Sequence, residues 1–227
     1  MKQTRLPPVR TATWRNVWLG LGLCLCLCLG AANAATIDAL VTTDGGQPLG
    51  DAVVVAAPHA VSLEAVTADA TLDQIDKQFM PGLLVVQVGT RVHFPNHDHV
   101  RHQVYSFSPA KPFELPLYAG SEAPPIVFDR PGPVALGCNI HDWMRGYVYV
   151  AESPWFGHTD KSGVVHLNLP PGDYDLHVWH AQMRDLEDST RVALKVPDAG
   201  SVAHQWQLAL KPSFVPRRAP MSDSGGY

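Results

Sequence analysis

The chain has 227 residues, with 17 lysines and arginines against 21 acids and a formal net charge of −4. That balance excludes the clustered basic surface that phosphate backbones need, and with it nucleic acid as a partner. Twenty prolines weigh against a helical fold, because proline removes a backbone donor and clashes inside helices.

In chain order, the first segment is basic and free of acids, with Lys2, Arg5, Arg10 and Arg15. An apolar run from Val17 to Gly30 follows, then Ala32 and Ala34 in the small-residue spacing of a cleavage site. This predicts a secretory signal peptide over residues 1–34 and a periplasmic or secreted mature protein. The apolar core is too short for a comfortable membrane span, so the mature chain is expected not to cross the membrane. A leucine precedes each cysteine of this run, too bulky for lipoprotein cleavage. Cleavage after Ala34 leaves 193 of 227 residues; it removes four bases and no acid, taking the net charge from −4 to −8. It also removes Cys24, Cys26 and Cys28, leaving Cys138 alone. An internal disulfide is then impossible, and a lone thiol in an oxidising compartment has to be buried, paired between chains or bound to metal.

The mature chain reads as β-structure almost throughout. "TIDALVTT" (36–43) and "DAVVVAA" (51–57) flank the turn-rich "DGGQPLG", the pattern of a hairpin. The stretch "SLEAVTADATLDQID" (62–76) has no clean apolar stripe and reads as loop. Runs 83–94, 101–107, 125–129, 133–138 and 146–152 are short, rich in valine and aromatics, and separated by Pro, Gly or Asp. Further strands are expected within 163–180, at 189–196 and at 202–210. Many short punctuated strands predict an all-β fold of sandwiches or barrels. The end, 212–227, is rich in Pro, Arg, Ser and Gly and reads as a disordered tail.

The loop "GCNIHDWM" places Cys138, His141 and Met144 within seven residues, directly before a predicted strand. A thiolate, an imidazole and a thioether are three of the four donors of a trigonal copper site with a weak axial ligand; a second imidazole is missing. It has to come from "VHFPNHDHVRHQV", which holds His93, His97, His99 and His102. Side chains alternate along a strand, so His102 shares a face with the core residue Val104, whereas His93 faces out between Val92 and Phe94. His97 and His99 lie between strands and remain the alternatives to His102, or candidates for a second metal site.

"VGTRVHFPNHDHVRHQV" followed by "PGPVALGCNIHDWMRGYVYV" resembles the cupredoxins, the blue copper proteins, over about Phe79 to Ala151. The Cys-x2-His-x2-Met spacing is most similar to amicyanin. By position, the resemblance implies one type 1 copper held by His102, Cys138, His141 and Met144. It also implies a Greek-key sandwich and one-electron transfer to a redox protein partner. The family pattern has proline before and asparagine after the first histidine; here Arg101 and Gln103 stand there. The wider phrase from Asp76 to Met144 is similar to bacterial exported proteins labelled methylamine utilization proteins, a label that implies a link to amine oxidation. "DGGQPLGDAVVVAAP" and "TDKSGVVHLNLPPGDYDLHV" resemble the carboxypeptidase-regulatory-like, or transthyretin-like, sandwich.

The expected organisation is therefore all-β. A cupredoxin-like copper domain spans 72–152, and a smaller β-sandwich is built from 36–60 and 153–211, interrupted by it. The expected function is one-electron transport in the periplasm, with copper delivery, storage or sensing as the rival. Neither reading is an enzyme. A Cys138 nucleophile with a histidine base would lack a third orienting group and leave Met144 without a role.

Overall fold

The computed structural model describes residues 35–59, 64–120 and 123–212. The expected leader over 1–34 and nearly all of the expected tail lie outside these residues. Among them, the chain forms seventeen strands and a single 3-10 turn, Glu187–Thr190. The architecture is all-β, as the punctuated valine-rich runs predict. No helix is long and apolar enough to cross a membrane among the described residues.

The strands are β1 (Ala35–Thr43), β2 (Val53–Pro58), β3 (Asp69–Thr71), β4 (Asp73–Ile75), β5 (Gln78–Met80) and β6 (Leu83–Gln87). Next come β7 (Arg91–His93), β8 (His102–Ser106), β9 (Phe113–Tyr118), β10 (Ile126–Val127), β11 (Gly132–Gly137) and β12 (Arg145–Ala151). The last are β13 (Phe156–His158), β14 (Val164–Leu169), β15 (Gly172–Trp179), β16 (Val192–Val196) and β17 (Ser201–Leu208).

They form two packed cores. In one, the sheet β14-β1-β17 and the sheet β13-β2-β15-β16 bury Ile37, Val41, Val54, Leu167, Leu176 and Trp206 between them. In the other, the five-stranded sheet β6-β12-β11-β8-β9 and the small sheet β10-β7-β3 enclose Phe79, Val92, Phe94, Val104, Phe128 and Val148. Each side chain of this size removed from water contributes about 1.5–3 kcal/mol, which is what holds the sheets face to face. A third cluster joins the outer face of β2 and β15 to β12 through Val53, Val55, Tyr149, Ala151, Trp179 and Met183.

Two local expectations are overturned. The runs 36–43 and 51–57 do not pair as a hairpin: β1 pairs antiparallel with β14 and parallel with β17, while β2 pairs with β13 and β15. Both edges of β1 are taken by late strands, so the seven-residue connection carries the chain across to the opposite sheet. The stretch read as loop holds β3 and β4, each three residues long; β3 is paired with the distant β7 and β4 with its neighbour β5.

The five-stranded sheet positions the loop of interest. β11 and β12 pair antiparallel up to Gly137↔Arg145, so the segment Cys138–Met144 is closed at its base by a hydrogen-bonded strand pair. β8 lies on the other side of β11, meeting it at Gly137↔Tyr105. A Cβ at Gly137 would sit 2.8 Å from the end of the Tyr105 side chain, so any larger residue there would have to displace that ring.

Candidate metal centre

β8 has the burial pattern buried–intermediate–buried–intermediate–buried from His102 to Ser106, so His102 points into the core beside Val104. His102 is fully buried, Cys138 is 3% exposed and Met144 is 1% exposed. His141 is half-buried, at the rim. The Met144 amide donates to the His141 carbonyl at 2.9 Å, turning the loop back toward β12.

The structure brings His102, Cys138 and His141 together. Their donor atoms all lie within 4.8 Å of one another, the one such group of His, Cys, Asp or Glu among the described residues. Cys138 Sγ is 3.8 Å from His102 Nδ1 and 3.9 Å from His141 Nδ1. The two rings have centroids 5.0 Å apart and are tilted by 57°. Met144 is packed in the same cluster as Cys138, at the far end of the loop.

These separations test whether an ion fits. Metal–sulfur and metal–nitrogen bonds of about 2.3 and 2.0 Å, set about 120° apart, place sulfur and nitrogen about 3.7 Å from each other. The observed distances are near that value and longer than a direct contact between the groups requires. The donor types are one cysteine sulfur and two imidazole nitrogens, with a methionine buried in the same cluster, a combination suited to a soft, redox-active ion.

The second nitrogen of His102 explains which atom is free to bind. Its Nε2 lies 2.6 Å from Asp98 Oδ2, so Nε2 carries the proton and donates it, leaving the Nδ1 lone pair toward Cys138. Burial opposes the charge on Asp98, but the Lys77 amide, the His102 ring and the Asp76 amide outweigh it and hold the carboxyl below its ordinary value. Burial first, and then His102 and Lys77, hold the His141 pKa below its ordinary value, which favours the neutral imidazole that can act as a ligand. Asn96, 3% exposed, fixes the loop between: its side chain donates to the carbonyls of Val100 and Tyr118 and accepts the Asp98 amide.

The alternatives to His102 are placed elsewhere. His93 is exposed and paired with Asp69 at 2.8 Å. The His97 side chain is 65% exposed and its Nδ1 is held by Asp73 at 2.7 Å. His99 is exposed in the same loop. Sequence reasoning missed Asp98. The signal available was an acid four residues before a buried histidine, in a loop free to turn back on itself. Around the rim, the Trp143 ring lies against His141 at a tilt of 53°, with centroids 5.1 Å apart, and Ile140 and Trp143 are 48% and 37% exposed.

No family model and no curated protein matches the chain. Among solved structures, it is similar to a copper-containing nitrite reductase (NirK) from Thermus scotoductus SA-01, at 30% identity over 42% of this chain and 25% of that one, TM-score 0.35. It is also similar to the reduced Cu(I) form of an amicyanin mutant at pH 4, at 22% identity over 43% of this chain and 97% of that one, TM-score 0.33. A third is a novel purple cupredoxin from Nitrosopumilus maritimus, at 26% identity over 37% of this chain and 99% of that one, TM-score 0.32. The chain thus spans about a quarter of the nitrite reductase. Scores this low decide nothing about function, which has to be read from the side chains.

Proposed function

We propose that this is a periplasmic or secreted type 1 copper protein that carries single electrons, with His102, Cys138, His141 and Met144 as its ligands. The observation that carries the reading is the approach of both Nδ1 atoms to the buried Cys138 sulfur at 3.8 and 3.9 Å. A bound copper ion would supply the one-electron couple between Cu(II) and Cu(I). The protein's part is to hold the donors so that neither oxidation state forces them to move. Cys138 and His141 are tied to the closed base of the β11–β12 loop, and His102 is fixed by β8 and Asp98. Burial of His102, Cys138 and Met144 excludes water and substrate from three of the four donors, which supports a carrier over an enzyme. The half-buried His141, with Trp143 and Ile140 beside it, is the one donor at the surface and so the natural point of contact with a redox protein.

In the same reading, 72–152 is the copper module. Residues 36–60 and 153–211 form one carboxypeptidase-regulatory-like module around it. The pairing of β1 with β14 and β17, and of β2 with β13 and β15, supports this division. A role alongside amine oxidation is the pathway-level form of the proposal, and it rests on the sequence resemblance alone.

The test is the absorption and spin-resonance spectrum of the full chain loaded with Cu(II). The expected result is an intense blue thiolate-to-copper band, lost in Cys138→Ser. A colourless site that binds zinc in preference would sink electron transfer. Rapid loss of copper to a chelator, with slow electron self-exchange, would favour the delivery or storage role.

A further inference from the structure

The hairpin β4–β5 forms a two-stranded sheet of its own, yet its tip is bonded to Asp98, which also bonds His102. Its two-residue loop is Asp76–Lys77, with φ of 53° and 57°. Consecutive positive φ values make the tight turn that suits a two-residue hairpin; aspartate accepts the first position readily, but the second is ordinarily glycine, and here it is Lys77. Aspartate followed by lysine needs outside support to hold it. Such a turn also points its two loop amides away from the hairpin, where they require acceptors.

Asp98 supplies both. Its Oδ1 accepts the Asp76 amide at 2.7 Å, and its Oδ2 accepts the Lys77 amide at 2.8 Å. The same Oδ2 accepts a hydrogen bond from His102 Nε2 at 2.6 Å. The Asp98 side chain is 12% exposed, so little water competes for these bonds. One carboxylate therefore joins three donors, two from the hairpin tip and one from a metal-binding imidazole. Behind the tip, the hairpin is fixed to the body. The Gln74 amide donates to the Pro95 carbonyl, the His97 amide donates to the Gln74 carbonyl, and Phe79 is buried in the core. Among the described residues, Asp98 is the acceptor that holds both amides of the tip.

We propose that Asp98 is a positioning residue that links the β4–β5 hairpin tip to His102, so that metal binding and the order of the tip stabilise one another. The inference rests on the metal-site reading above. Its physical basis is reciprocity: if an ordered tip orients the carboxylate that selects the His102 tautomer, then a metal that holds His102 must in turn hold the tip. Metal on Nδ1 keeps the proton on Nε2. That keeps Asp98 in place as its acceptor, with its remaining lone pairs aimed at Asp76 and Lys77.

Asp98→Asn breaks the link with little change of shape. An asparagine presents one acceptor and one NH2 group. It cannot accept from both loop amides and from His102 together. If its NH2 faces His102, the ring proton moves to Nδ1, where it blocks the metal.

The experiment uses the full chain and Co(II) as probe. Binding is followed by the thiolate-to-Co(II) absorption band, and hydrogen exchange is followed at individual amides. In the wild type, Co(II) is expected to slow exchange at Asp76 and Lys77 at least tenfold while leaving the β1 amides unchanged. In Asp98→Asn, Co(II) affinity is expected to fall at least tenfold, the usual scale for losing a partner of a metal-bound histidine, with the β1 amides still protected as in the wild type. Unchanged exchange at the tip in the wild type, despite the thiolate band, would overturn the linkage while leaving the metal site standing. So would a variant that binds Co(II) as tightly as the wild type. Absence of the thiolate band in the wild type would overturn both readings.

Discussion

The proposed ligand residues differ in how much of their placement the sequence carries. His102 was readable because alternation along β8 is strict, and burial follows it residue by residue. Met144 is buried in the same core cluster as Cys138, and the approach of Cys138 and His141 to each other was readable from their spacing in one short closed loop. Asp98 was not, because its contacts to His102 and to the amides of 76 and 77 come from a loop returning on itself, which no periodicity encodes. The donors invite a direct test at this scale. Replacing Met144 with leucine keeps volume and burial but removes the thioether. The blue band should survive and the reduction potential should rise, because the lost donor stabilised the electron-poorer Cu(II) state more; voltammetry reads this. A second residue prediction concerns Tyr149, 1% exposed. Its hydroxyl lies 3.2 Å from His177 Nε2 and donates to Glu187. Burial, and then the Glu187 charge, push its pKa far up, so it acts only as a neutral hydroxyl. Tyr149→Phe removes a hydroxyl from buried His177 and half-buried Glu187, which still meet each other at 3.0 Å, and should cost about 0.5–1.5 kcal/mol of unfolding free energy in urea.

At the scale of elements, the clearest dependence is the close approach at Gly137. The Tyr105 ring occupies the space where a side chain would go. Gly137→Ala should force that ring or the β8–β11 contact to shift, costing about 1–3 kcal/mol and distorting the loop that starts at the next residue. Urea titration measures the first effect, and the line shape of the copper spin-resonance signal measures the second. Element identity was mostly legible where a strand carried its own alternation. It was not legible where pairing alone makes the strand. β3 and β13 are three residues each and depend on partners made elsewhere in the chain, β7 and β2, while β4 and β5, equally short, pair with each other across a two-residue turn. β9 was hidden by Pro116, which its position as the edge strand of the five-stranded sheet accommodates. The false hairpin at 36–57 has the same origin. Turn residues announce a reversal, and both sheets of a sandwich are reached by reversals.

For the whole molecule, acid should act in one direction. His180 is held below the usual 6.5 by burial, only partly offset by Asp51, and His204 is held below it by burial. Their neutral forms are favoured in the fold, so the stability they contribute is complete above about 6.5 and drains as pH falls toward their folded values. Several aspartates lie below the usual 3.8: Asp38 through His166, Asp69 through Arg91 and His93, Asp129 through Lys111, and Asp160 through Ser162 and the Val164 amide. Their contribution is present above 3.8 and is lost as pH drops through their folded values. The metal-free Tm should therefore be flat near neutrality and decline first below about 6.5, then again below about 3.8; a Tm that climbs on acidification would contradict this. The all-β character was legible from composition and punctuation, whereas the order of strands was not, because β1 finds its neighbours at the opposite end of the chain. The Thr36 side chain bonds Asn168, 132 residues away, and the Thr42 hydroxyl reaches the Trp206 carbonyl, 164 residues away. A ribosome releases β1 long before either companion exists, so its backbone must wait, solvated and uncommitted, while the intervening sandwich is synthesised. A premature stop before Ser201 would deprive the oldest strand of its youngest neighbour, and the defect would surface at the amino end of a chain damaged at the other.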